Sequence, residues 1–162
     1  MRLLDYPREH LEVIVVDNAS SDRTTEIMAA RHPQIRLIRL ESNTGFAPAC
    51  DRGAQDAMGE YVAFLNNDAV VAPDWLTKLV EAMSAGGDGT VCAASRIMSR
   101  DGVETEYNGA ASNLFGAGRP ESVWGWPDLP TEPTTGTPVL FASGGAMLIH
   151  RATFLEIGGF DP

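Results

Sequence analysis

Basic residues, cysteines and long apolar runs are all scarce in this 162-residue chain, and each shortage closes off a class of function. Twelve Lys+Arg stand against 22 Asp+Glu, a formal charge of −10. With no basic cluster, such a chain is not expected to take nucleic acid or an anionic membrane as its main partner. An anionic small ligand stays open, because a divalent metal can screen phosphates from carboxylates. The two cysteines, Cys50 and Cys92, have no CxxC or metal-ligand spacing and read as small buried apolar side chains. No apolar run approaches the roughly 20 residues that span a bilayer, so no transmembrane segment is expected in this chain. Met1 to Tyr6 does not have the pattern of a signal peptide either. These absences suggest a cytoplasmic address, with the inner face of the membrane open to a longer protein carrying an anchor.

What is present is an ordinary globular balance, 44% hydrophobic and 21% charged, over a length that suits one domain, 1–162. Glu12 to Val16 is a short β-branched run of the kind that forms an interior parallel strand. It stops at a cluster of turn and cap residues from Asp17 to Asp22, and a helix is expected from Asp22 to Arg31. Ile35 to Leu40, Tyr61 to Leu65 and Val91 to Ser95 read as further strands. A helix near Pro48 is expected to run to about Met58. Another opens at Pro73-Asp74, with Trp75, Leu76, Leu79, Val80 and Met83 on one face. Residues 1–95 therefore alternate strand and helix, which predicts an α/β fold with a mostly parallel sheet and helices on both faces.

Residues 96–162 change character. Ile97 to Tyr107 suits a hairpin broken at Asp101-Gly102. From 108 to 138 runs a long Gly-, Pro- and Trp-rich stretch without periodicity. Val139 to His150 is a strand interrupted at Ser143-Gly144-Gly145, and Ala152 to Ile157 a short helix.

In an open parallel sheet ligands bind outside the carboxyl ends of the strands. Two strand ends carry acidic turns there, Asp17 after Val16 and Asp68 after Leu65. Such carboxylates can bond a ribose or base, or hold a hard cation such as Mg²⁺ or Mn²⁺. Both also read as ordinary turn residues, and Asp22 reads as a helix N-cap. Asn43 to Gly45 reads equally as a turn and Gly144-Gly145 as a bulge.

At these residues the chain resembles the family 2 glycosyltransferases of GT-A fold, in particular rhamnosyltransferase-like members that build bacterial cell-surface polysaccharides. The resemblance rests on five ordered blocks: Glu12 to Asp22, Asn43-Thr44-Gly45-Phe46-Ala47, Gly59 to Asp68 with Pro73 to Leu76, Ser143 to Ala146, and Gly158 to Asp161. It implies a Rossmann-like nucleotide-binding half (1–95) and a partial acceptor half (96–162). It further implies an inverting, metal-dependent hexosyl transfer from a nucleotide-diphosphate sugar to a saccharide or lipid-linked acceptor. Asp17 would meet the nucleobase, and Asn18, Asn43, Gly45, Asn66 and Asn67 would line the donor. Asp68 would hold Mg²⁺ or Mn²⁺, while Gly144, Gly145 and Trp126 would face the acceptor. Trp126, like Trp124, also suits a packing role in its loop.

The chain departs from the pattern at Asp51, where the family usually has Asn, and at Asn66, which replaces an acidic residue. The resemblance also implies a first strand before Met1 and a general-base block beyond Pro162, so the isolated chain is expected to be inactive. Three other readings remain on these residues: a non-catalytic nucleotide-sugar-binding module, a sugar-nucleotide pyrophosphorylase, and a phosphoacceptor receiver domain.

Overall fold

The computed structural model describes residues 4–87, 89–100, 102–103, 105–107, 111–112, 118–119 and 142–161. After a 3₁₀ turn at Arg8–His10 come β1 (Ile14–Asp17), α1 (Thr24–Arg31), β2 (Arg36–Arg39), α2 (Phe46–Asp56) and β3 (Tyr61–Leu65). Then follow α3 (Trp75–Ala85), β4 (Cys92–Ala94), β5 (Ile97–Met98), β6 (Thr105–Tyr107), β7 (Ala111–Ser112) and β8 (Gly118–Arg119). The last two are β9 (Ala146–His150) and α4 (Arg151–Glu156). The chain divides into two compact units, Tyr6–Val62 with His150–Pro162, and Met1–Asp5 with Ala63–Ile149.

In the first unit β1 and β2 pair in parallel, with Ile14 opposite Arg36 and Asp17 opposite Arg39. Val and Ile favour this extended backbone because their branched Cβ restricts χ1 and packs well on a pleated surface. The α2 helix packs on β1 and buries Ala49 and Ala54, small residues that let the helix approach the strand. Its C-terminal end is tied down by Arg36. One guanidinium nitrogen donates to the Asp56 carbonyl at 2.7 Å and another to Asp56 Oδ1 at 2.9 Å. Glu12 completes the cluster, 3.3 Å from Arg36 and accepting the Met58 N–H at 3.0 Å. These pairs are partly exposed, so each adds little to stability, although together they fix the register of three elements. In α4, Phe154 is buried and packs edge-on to Phe160.

In the second unit a three-stranded sheet has the order β3-β9-β4. The central strand β9 is apolar from Ala146 to Ile149, all four residues buried, as a strand covered on both faces requires. It runs antiparallel to β4, with Ala93 opposite Leu148. The α3 helix lies against β4, burying Leu76, Leu79 and Met83, while Trp75 Nε1 donates to Ser95 Oγ at 2.9 Å. Short antiparallel pairs β5-β6 and β7-β8 complete the unit.

The architecture is mixed α/β. Strand and helix alternate as expected, and β1-β2 has the expected parallel sense. The antiparallel β4-β9 pair is the part that the alternation did not announce. The α2 helix begins at Phe46, two residues before Pro48, because its first turn tolerates a residue without an N–H. The hairpin at 97–107 is present as β5-β6, and most of 108–138, including Trp124 and Trp126, lies outside the described residues.

Candidate functional site

Asp17 closes β1, and its side chain is wholly buried. Oδ1 accepts the Ser20 N–H at 3.0 Å, which folds the chain back into the β1-α1 turn. Oδ2 is buried without a hydrogen bond. Its nearest cation is Arg39, whose Nε lies 3.7 Å away on a side chain 58% exposed. The parallel register that sets Arg39 beside Asp17 produces this pair. A buried acceptor left unpaired costs on the order of 1–3 kcal/mol, so the oxygen is a natural target for a ligand N–H. Ala19 adds local strain, since its φ of +61° lies in the left-handed region that residues with a Cβ avoid.

Asn18 uses both ends of its amide on one loop. Nδ2 donates to Asn43 Oδ1 at 3.0 Å and to the Gly45 carbonyl at 2.9 Å. Oδ1 accepts from the Thr44 N–H at 2.9 Å and the Thr44 hydroxyl at 3.2 Å. Asn43 Oδ1 also takes the Gly45 N–H at 3.0 Å. Gly45 holds φ +90° and ψ 178°, a combination essentially confined to glycine, so this position requires it. Three of the residues expected at a donor site, Asn18, Asn43 and Gly45, are thus joined in one hydrogen-bonded loop next to Asp17. Asn18 fastens that loop, and Asn43 and Gly45 form its exposed face.

Asp22 is not the N-cap expected of it: α1 begins at Thr24 with Arg23 as its N-cap, and Asp22, one residue earlier, accepts the Thr24 N–H at 2.9 Å. Its bonds to the Thr24 hydroxyl and N–H hold its carboxyl below the usual aspartate range.

The other expected residues belong to the second unit. Asn66, Asn67 and Asp68 follow β3 and are exposed, and the Asn66 N–H donates to the Gly145 carbonyl at 2.9 Å. Gly145 lies against Asn66 so closely that a Cβ would come within 3.0 Å of Asn66 Nδ2. Gly144 and Gly145 form the half-buried turn before β9, where Ser143 Oγ accepts the Gly145 N–H at 3.3 Å. Asn66 and Gly145 are therefore brought together as neighbours. Among the described residues no group of three or more His, Cys, Asp or Glu gathers around Asp68 or elsewhere. The donors at this strand end are one carboxylate and amide oxygens, the hard oxygen set that suits Mg²⁺ or Mn²⁺ with water and phosphate completing the shell. Trp126 lies outside the described residues.

Two residues of the first unit escaped the sequence reading as contributors. Arg39 was hidden because strand register, which puts it beside Asp17, is not readable from periodicity. The contact made by Asp51 was hidden too: its Oδ1 accepts the Phe160 N–H at 2.9 Å, a partner 109 positions away. The signal available was its departure from the usual Asn.

The sequence pattern described as "Glycosyl transferase family 2" matches residues 2–158. The succinoglycan biosynthesis protein ExoO of Rhizobium meliloti is 37% identical over 93 residues, which cover 57% of this chain and 27% of ExoO. The N-acetylglucosaminyl-diphospho-decaprenol L-rhamnosyltransferase of Mycobacterium tuberculosis is 27% identical over 176 aligned positions, covering 93% of this chain and 55% of that enzyme. Among solved structures, the mannosyltransferase PcManGT of Pyrobaculum calidifontis, in complex with GDP-Man and Mn²⁺, superposes with a TM-score of 0.60 at 25% identity. That match covers 99% of this chain and 41% of PcManGT. The structural neighbours are GT-A glycosyltransferases, and the mixed α/β fold of this chain is of that kind. The chain spans between about a quarter and just over half of the relatives compared.

Proposed function

The chain belongs to glycosyl transferase family 2, and from that premise we propose that it is the nucleotide-sugar-binding domain of an inverting glycosyltransferase of cell-surface polysaccharide synthesis. The donor is a nucleoside-diphosphate hexose, the acceptor a saccharide or lipid-linked saccharide, and the site of action the cytoplasm or the inner face of the membrane. The observation that carries this reading is the buried Oδ2 of Asp17, which accepts no hydrogen bond, beside a loop locked by Asn18.

In this reading Asp17 Oδ2 accepts an N–H of the nucleobase, which takes the place of Arg39 as its neighbour. The exposed Arg39 then turns its guanidinium toward solvent or the diphosphate. Asn43 and Gly45 wall the donor, and Asn18 keeps that wall in place. On the second unit, Asp68 holds the divalent cation, with Asn66 and Asn67 preceding it in the same turn. When bound, Mg²⁺ or Mn²⁺ supplies charge neutralisation to the departing diphosphate. Gly144 and Gly145 keep bulk away from the acceptor, and Trp126 offers its face to sugar C–H groups. We assign no residue of this chain as the base that deprotonates the acceptor hydroxyl.

Isothermal titration with UDP, dTDP and GDP, with and without Mn²⁺, tests the reading. Metal-dependent binding of one of them, at least about tenfold weaker in Asp68→Ala, is the expected result. Absence of binding by a folded chain, or binding indifferent to both metal and Asp68, would overturn the whole reading or the metal assignment respectively.

A further inference from the structure

The Asn43–Gly45 loop is gripped on one side by Asn18, and a second grip comes from the far end of the chain. Phe46, the residue after Gly45, places its ring 6.0 Å from that of Phe160, centroid to centroid. Phe160 is wedged in turn against the buried Phe154 at 5.1 Å, edge to face. Asp51, five residues beyond Phe46 on α2, accepts the Phe160 N–H at 2.9 Å and so holds the Phe160 backbone. The approach is close enough that a Cβ on Gly159 would overlap the Asp51 carboxylate. Gly158 and Gly159 hold φ of +91° and +85°, the conformation that turns the chain from α4 back onto α2. The hydrogen bond accepted by Asp51, on a helix, holds the Phe160 backbone at a defined position beside these aromatic contacts.

The geometry points to Asp51 as a positioning residue for the candidate donor loop. It pins the Gly158–Phe160 turn to α2, and Phe160 then props Phe46 and the Gly45 backbone into the shape that Asn18 locks from the other side. Asp51 itself touches no ligand. It acts through Phe160, and its effect on nucleotide binding rests on the donor-site reading above. An Asn at this position keeps a carbonyl oxygen in the same place and retains the latch, so the hydrogen bond rather than the charge is the operative feature.

The test compares wild type, Asp51→Asn and Asp51→Ala by amide hydrogen exchange and by titration with UDP, dTDP and GDP in Mn²⁺. In Asp51→Ala the Phe160 and Gly45 amides exchange about tenfold faster or more, while those of β1 and β2 keep their protection and show the unit folded. Nucleotide affinity falls roughly three- to tenfold in the same variant, and Asp51→Asn restores both readouts. Unchanged exchange at Phe160 in Asp51→Ala refutes the latch. Faster exchange at Phe160 with wild-type exchange at Gly45 refutes its transmission to the loop, and an Asn variant as impaired as the Ala variant refutes the hydrogen bond as its cause. If the wild type binds none of the nucleotides, the donor-site reading fails, and the exchange at Gly45 decides the latch by itself.

Discussion

Replacing Asn18 by Asp changes one atom pair in the loop network and gives a sharp test of how that loop is held. Asn18 Nδ2 donates to Asn43 Oδ1 at 3.0 Å and to the Gly45 carbonyl at 2.9 Å, so Asp would set an oxygen against two acceptors. The two lost hydrogen bonds cost about 1 kcal/mol each. Each opposed oxygen pair adds about 1 kcal/mol of repulsion at the effective dielectric of a half-buried site. The bonds accepted from Thr44 become charge-assisted and return about 1 kcal/mol. The net loss is about 3 kcal/mol, or roughly 6–12 °C in Tm for a chain of this size. The pH dependence follows from the same contacts. Acceptors facing the new carboxylate raise its folded pKa above the unfolded value of about 3.9. A raised carboxylate loses stability as pH rises through its folded pKa, so the deficit against wild type is smallest near pH 4 and fully developed by pH 7. Thermal melts of the two proteins across that range read it directly. A variant within 1 °C of wild type at pH 7, or a deficit that grows as pH falls, would show that Asn18 does not donate to these oxygens.

Three further outcomes follow from local geometry. Ala19→Gly removes the cost of a left-handed φ and gains up to about 1 kcal/mol in urea denaturation, whereas Ala19→Val loses about 2 kcal/mol because a β-branched residue fits φ +61° worst. Gly145→Ala pushes on Asn66 and loses about 1–2 kcal/mol, of which Asn66→Ala in the same chain recovers a measurable part. Burial raises the Cys50 thiol to about 11, with the Asp51 charge adding to it, and raises Cys92 to about 11 by burial alone. In the folded protein both thiols therefore resist iodoacetamide at pH 8, where only about one in a thousand is ionised, and react as pH approaches 11; fast alkylation at pH 8 would contradict the burial.

The features legible in the sequence are those carried by neighbours in the chain. The apolar runs located β1, β2 and β3, and the i, i+4 spacing in α3 picked out Trp75, Leu76, Leu79, Val80 and Met83, of which Leu76, Leu79 and Met83 are buried and Trp75 and Val80 half-buried. Turn chemistry after Val16 and after Leu65 located both strand ends. Strand partnership was not legible. The antiparallel pairing of β4 with β9 joins residues more than 50 positions apart, and a three-residue strand carries too little pattern to declare its direction. The start of α2, by contrast, agrees with a loop ending at Gly45 and Pro48 in the helix's first turn. Gly45, in a glycine-only conformation set by the loop network, ends the loop and lets the helix begin before Pro48.

Asp17 and Asn18 show why the candidate site could be located from sequence while its division of labour could not. Both are turn-forming residues at the end of the same strand, and local chemistry gives them the same standing. Register separates them. Pairing Asp17 with Arg39 buries its carboxylate and leaves one oxygen without a hydrogen bond, which is what a ligand-binding group needs. The next side chain meets a loop 25 to 27 positions away, where all its polar atoms are engaged, which is what a fastener needs. Asp51 follows the same logic at longer range: a helix position that departs from the family pattern turns out to hold the backbone of Phe160. Residues whose function depends on what they point at can be shortlisted by type and spacing, but their roles are assigned by the long-range contacts that the fold makes.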